Sequence, residues 1–174
     1  MTGISLTAFT LLHVIVSVIG IVAGLIAVSG WLKSDPSRTP TAIFLGTAIL
    51  TSATGFLFPF SKFLPSHAIG IISLVMLAVA TFALYRSRLE GIWRPIFTVT
   101  ATLSLYLNVF VLVVQSFLKI PLLNSLAPTQ TEPAFLIAQG ATLVFFLTLT
   151  GLTFVKFRPP SLLAVDTSPK GSSP

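Results

Sequence analysis

Two histidines and three carboxamides are the side chains in the apolar parts of this chain that could bind a ligand. His13 and His67 are its only histidines. Histidine is an axial ligand of haem and a proton carrier. Asn108, Gln115 and Gln139 need hydrogen-bond partners wherever water is absent. These residue types could therefore form one bis-histidine haem b site, or line a path for a ligand or a proton.

Spacing predicts which way some of these side chains face. Gly20 and Gly24 form a G-x-x-x-G pattern on the helical face that carries His13, so His13 is predicted to face protein rather than lipid. Asn108 and Gln115 share one face of a later segment with Ser104 and Lys119. This polar stripe has two interpretations: hydrogen bonds between helices, or the lining of a ligand path.

The elements that must position these residues are apolar helices. Hydrophobic residues make up 54% of the 174 residues and charged residues 8%, which excludes a soluble monomer and intrinsic disorder. The absence of cysteine excludes disulfides and iron–sulfur clusters. We predict an all-α bundle of five transmembrane helices, or four if one segment lies in the interface, followed by a disordered tail over 159–174. The predicted spans are about 5–32, 40–60, 65–85, 93–117 and 133–155.

Basic residues predict the orientation of the bundle. Eight of the ten Lys and Arg fall on one side, at positions 33, 38, 86, 88, 94, 156, 158 and 170, and the other two at positions 62 and 119. The positive-inside rule then places the N-terminus outside and the C-terminus in the cytoplasm. The net charge of +6 is explained by helix ends that meet lipid headgroups, and no nucleic-acid partner is expected. Trp31 and Trp93 are predicted to anchor the cytoplasmic edge as an aromatic belt.

This orientation predicts an outward-facing polar cluster. In this orientation most of the polar residues named above lie in the outer half of the membrane. Polar groups in lipid need one another as hydrogen-bond partners. We expect at least three of five to converge across the bundle, with Glu132 above them. The five residues are His13, His67, Asn108, Gln115 and Gln139.

Four stretches, taken together, carry a resemblance. They read TGFLFP at 54–59, LPSH with GIISL at 64–74, YLNVFVLVVQ at 106–115 and APTQTEP at 127–133. With them the chain, over about 10–158, resembles a group of small bacterial inner-membrane proteins that carry no assigned activity. The resemblance implies a bacterial origin, an inner-membrane location and a multi-span bundle, and it implies no reaction.

Four classes of function fit these observations unequally. The sequence shows no nucleophile–base constellation and no metalloprotease motif, which disfavours an enzyme; His13, His67 and Glu132 could hold a metal only if they converged. A transporter or channel lacks charged residues within its spans. A haem subunit would use His13 and His67, although no cofactor is expected. The favoured interpretation is a non-catalytic accessory or scaffold subunit in the lipid bilayer, bound to other membrane proteins or to itself.

Overall fold

Helices account for the regular structure of this chain. The computed structural model describes residues 6–58 and 65–158, and within them it contains helices and no β-strand. The predicted all-α class is confirmed for these residues. The predicted tail over 159–174 lies outside them, as does Lys62. The helices are α1 (Leu6–Trp31), α2 (Arg38–Gly55), α3 (Pro65–Thr81, continued by a π-helical turn over Phe82–Arg86), α4 (Trp93–Lys119), α5 (Pro121–Leu126) and α6 (Pro133–Lys156).

Four helices in the described residues are long and apolar enough to cross a membrane. They are Leu6–Trp31, His67–Arg86, Trp93–Lys119 and Pro133–Lys156. The remaining long helix, α2, has 18 residues, which at 1.5 Å each give a length of about 27 Å. It also contains five threonines, a serine and an arginine, so it is less apolar than the others. The protein is therefore multi-pass by helix length and composition, and the fifth span remains a prediction.

Helix α4 lies at the centre of the arrangement. It packs against α3 and α6 most extensively and also contacts α1, α2 and α5. Helix α2 packs mainly against α1 and, on another side, against α3. Fully buried Phe97, Ala101 and Leu105 of α4 lie in the apolar core with Phe44 of α2 and Phe146 of α6. This order places α2 beside both histidine-bearing helices, and α4 beside α6.

Glycines on α1 allow the close approach of its neighbours. A Cβ atom on Gly20 would lie 2.8 Å from the Thr47 hydroxyl oxygen of α2. At Gly24 the same atom would lie 2.6 Å from Leu105 Cδ1 and 2.9 Å from Phe44 Cδ2. Side chains this near leave no room for a methyl group. The two glycines therefore set the distance between α1, α2 and α4.

The core is concentrated at the end of the bundle that carries most of the basic residues. Trp31, Phe97 and Phe157 are almost completely buried, and their ring centroids lie 5.0–6.2 Å apart. Trp31 Nε1 donates a hydrogen bond to the Thr41 hydroxyl at 3.1 Å. The prediction that Trp31 anchors an interfacial belt is therefore wrong, because its indole finds both its apolar contacts and its acceptor inside the bundle.

Polar contacts close the same end. The Ser34 hydroxyl donates to the Lys156 carbonyl at 2.8 Å and accepts from the Arg158 amide at 3.1 Å. Arg94 donates to the Phe157 carbonyl. These bonds join the α1–α2 connection and the start of α4 to the end of α6, which are far apart in the sequence. The opposite half of α1 differs: before Gly20, none of its described residues is buried.

Substitution of Gly24 tests this account of the packing. We expect Gly24→Ala to destabilise the bundle by about 1–3 kcal/mol, because the side chains of Leu105 and Phe44 are fully buried and would have to shift within a packed core. Gly46→Ala is the matched control, since a Cβ there meets nothing within 4 Å. It should leave stability unchanged or raise it by up to about 1 kcal/mol through helix propensity. The midpoint of an SDS unfolding titration measures both effects, and equal midpoints would contradict the account.

Candidate functional site

His13 contacts the C-terminal end of α2. Its Nδ1 lies 3.0 Å from the Thr54 hydroxyl oxygen, and its ring meets the Phe58 ring edge-on at a centroid distance of 5.1 Å. The Thr54 hydroxyl lies 2.7 Å from the Leu50 carbonyl, which takes its single proton. A Thr54 hydroxyl that donates to this carbonyl can accept from His13 Nδ1 in the tautomer that carries its proton there.

His67 lies in the first turns of α3 and contacts the same end of α2. It is 6% exposed, and its ring lies 5.7 Å from the Phe56 ring with an angle of 36° between the planes. Gly70, one turn later, lets Phe56 approach, since a Cβ there would lie 3.1 Å from Phe56 Cζ. Thr54 and Phe58 thus meet α1, and Phe56 meets α3. Both histidines lie against residues 54–58, on two neighbouring helices.

The carboxamides lie elsewhere, on α4 and α6. Asn108 Nδ2 donates to the Ser104 carbonyl of its own helix at 3.2 Å. Gln139 Nε2 donates across the helix pair to the Phe110 carbonyl at 3.2 Å, and its Oε1 is buried without a partner in the part of the chain that the structure describes. The Gln115 side chain is exposed. The contacts of the six candidate residues are therefore divided between the end of α2 and the α4–α6 pair with its connecting loop.

Side chains of α5 and of the α5–α6 connection form hydrogen bonds to the C-terminal part of α4. Gln130 Nε2 donates to the Val114 carbonyl at 3.0 Å, and Asn124 Nδ2 donates to the Phe117 carbonyl at 3.1 Å. The Phe117 carbonyl lies in the last turn of α4, where carbonyl groups have no partner within the helix, and Asn124 supplies its donor; Val114 lies before that turn. Sequence reasoning missed both residues, together with Thr54. The available signal was two carboxamides shortly after a long helix, next to Pro121 and Pro128.

Glu132 organises its own loop. Its carboxylate accepts hydrogen bonds from the Thr129 amide at 3.1 Å, the Thr129 hydroxyl at 2.9 Å and the Thr131 amide at 3.0 Å. Desolvation acts to raise the pKa of this carboxyl. The bonds from Thr129, with those from the backbone amides of 131 and 132, outweigh it and hold the pKa below its ordinary value. The carboxylate therefore stabilises the turn that leads into α6.

No metal site is formed by the residues considered for one. In residues 6–58 and 65–158 there is no group of three or more His, Asp or Glu side chains that could hold a metal ion. His13, His67 and Glu132 therefore do not make up such a group. The two histidines still leave a cofactor with two axial ligands as a hypothesis, because both lie against one segment. Convergence of three of the five polar residues remains a prediction.

Comparisons with known proteins add no relative. No family model matches the chain, and neither a curated protein nor a solved structure matches it. Any statement about activity therefore depends on the geometry of this chain alone.

Acidification tests the role of Glu132. Its pKa is lower in the folded chain than its ordinary value of 4.5. The stabilisation is therefore fully present above the ordinary value and is lost as the pH falls through the lower, folded pKa. We expect the hydrogen-exchange protection of the Thr129 and Thr131 amides to be constant near neutral pH and to fall in strong acid. Glu132→Gln should lower that protection already at neutral pH and remove its acid dependence. Equal protection in both proteins at neutral pH would contradict this role.

Proposed function

We propose that this chain is a non-catalytic accessory or scaffold subunit of a membrane complex. We further propose a bacterial inner-membrane location with the N-terminus outside, which the distribution of Lys and Arg supports. The observation that carries the proposal is the use made of polar groups inside the helices. Most of them join neighbouring helices or bond their own backbone, which is the chemistry of a packing unit; among the described residues the buried hydroxyls of Thr51 and Thr81 do neither.

Each of three helix pairs has a polar contact of this kind. His13 and Thr54 join α1 to α2, as described above. The Ser52 hydroxyl donates to Ser73 at 3.2 Å and joins α2 to α3. Between α4 and α6, the hydroxyl oxygens of Thr102 and Thr150 lie 3.0 Å apart. The bond from Gln139 to the Phe110 carbonyl joins the same two helices. Interhelical bonds of this type contribute about 0.6–2 kcal/mol each in lipid, so they support assembly of helices rather than a reaction.

The exposed face of α6 is the surface proposed for a partner helix. Only Phe146 and Thr153 of this helix are buried, both on the side that faces the bundle. Gly140 and Gly151 lie eleven residues apart, which places them on nearly the same line of the exposed face, and a Cβ on either meets nothing within 4 Å. A glycine inside a helix costs about 1 kcal/mol relative to alanine, and no contact within the chain offsets it here. Close approach of another helix at these glycines would offset this cost.

Affinity purification from native membranes tests the accessory role. We expect a defined membrane protein, or a second copy of this chain, to co-purify with the wild-type chain in mild detergent. Gly140→Leu with Gly151→Leu should reduce its recovery about tenfold, because two bulky side chains at the closest approach separate the helices. Gly46→Leu is the control, since Gly46 is equally open but lies on α2. A monomeric wild-type chain, with no cross-linked partner in the membrane, would contradict the proposal.

A single haem b between His13 and His67 is the second candidate. The contact of both rings with residues 54–58 supports it. The accessory role without a cofactor predicts no Soret band in the purified protein after haem-replete expression. A Soret band that is present in the wild-type protein and lost in both His13→Ala and His67→Ala would instead support the haem subunit. The absorption spectrum of the three proteins therefore distinguishes the two candidates.

A further inference from the structure

A groove of about 840 Å³ lies at the turn between α3 and α4, at the basic end of the bundle. Its lining combines two cationic side chains, Arg86 and Arg88, with one carboxylate, Glu90. Three aromatic rings complete it: Phe82, Tyr85 and Trp93. The groove is separate from the histidines and the carboxamides discussed above, and no role has been assigned to it so far.

The backbone of this turn is shaped in an unusual way. Helix α3 ends in a π-helical turn, in which the Ser87 amide donates to the Phe82 carbonyl at 3.1 Å. The chain then reverses through Arg88 and Leu89, which have φ angles of 51° and 61° in the left-handed region. Residues other than glycine enter this region at a cost, and π-turns within helices are frequent at functional sites. Arg86 and Arg88 both line the groove, as does Trp93 at the start of α4.

The charges of the groove do not cancel. Arg86, Arg88 and Glu90 are all exposed, and in the described part of the chain neither arginine forms an ion pair. One carboxylate faces two guanidinium groups, so the groove has a net positive charge. The planar guanidinium group binds phosphate through two parallel hydrogen bonds, and a pair of such groups is suited to an anion with several oxygens.

The depth of the groove places it where lipid headgroups lie. It is formed by the ends of two helices that are able to span a membrane, His67–Arg86 and Trp93–Lys119. Phe82 is 48% exposed and Tyr85 is 60% exposed, while half-buried Trp93 packs on Phe82 with ring centroids 5.0 Å apart. Aromatic residues of this kind are typical of the membrane–water interface. A ligand in this groove therefore meets cationic groups and apolar rings together.

We propose that this groove binds an anionic phospholipid through its headgroup phosphate. Arg86 and Arg88 bind the phosphate, and the rings of Phe82, Tyr85 and Trp93 contact the glycerol and the first carbons of the acyl chains. A free phosphate ion would satisfy the arginines and leave the exposed rings without a partner. A lipid satisfies both, which is why the structure favours a lipid over a soluble anion.

Native mass spectrometry of the full chain tests the proposal. The protein is purified in micelles that contain equal amounts of phosphatidylglycerol and phosphatidylcholine, and the retained lipids are counted. We expect a clear preference for phosphatidylglycerol. Arg86→Gln with Arg88→Gln should reduce that preference about thirtyfold, since each basic residue near an anionic lipid surface contributes about one kcal/mol. Arg88→Gln alone, with a smaller loss, serves if the double variant is not recovered.

Two controls separate a built site from general surface charge. Lys33→Gln with Arg38→Gln removes the same charge from exposed positions at the same end, outside the groove, and should keep the preference. Glu90→Gln removes the opposing carboxylate and should strengthen it, a change of sign that misfolding would not produce. An equal loss in both double variants would overturn the proposal. Displacement of phosphatidylglycerol by inorganic phosphate would also overturn it, because the groove would then be an anion site and not a lipid site.

Discussion

The absence of water in the bilayer core is the constraint on which this structure depends. A hydroxyl or carboxamide within a span is stabilised by a partner inside the protein, because lipid offers none; among the described residues the buried Thr81 hydroxyl and Gln139 Oε1 are exceptions. Most of the described threonines and serines in the helices donate to a carbonyl three or four residues earlier, as Thr47, Thr100 and Thr148 do. Few polar side chains are therefore available for contacts between helices. Each such contact has a large influence on which helices are neighbours.

Close packing also stabilises the assembly, because the hydrophobic effect contributes little to the association of helices in lipid. Gly20 and Gly24 bring α1 against α2 and α4, and Gly30 allows a still closer approach, since the Ser37 hydroxyl occupies the space that a Cβ there would need. These three glycines follow one another along the second half of α1. The buried aromatic residues gather at the same end. The first half of α1, which carries His13, is held chiefly through α2.

The two ends of the bundle are therefore built differently. At the basic end, long-range bonds from Ser34 and Arg94 join segments that are far apart in the sequence. At the other end, Glu132, Gln130 and Asn124 form contacts that are mostly local, within a loop and onto the helix just before it. The long-range bonds of the basic end include the start of α4, beside the groove, and the end of α6, whose outer face is proposed for a partner helix.

The sequence alone was sufficient for the all-α class, since runs of apolar residues with prolines and basic residues at their ends are local signals. It also marked Gly20 and Gly24 as a face for close packing. It could not decide the partners of each polar side chain, because a hydrogen bond depends on which helices become neighbours and on their rotation. Asn108 bonds its own helix, Gln115 is exposed and Trp31 is buried for this reason. The groove lined by Arg86, Arg88 and Trp93 also depends on the tertiary structure, since the π-helical turn and the left-handed residues after it set the path of the chain from α3 into α4.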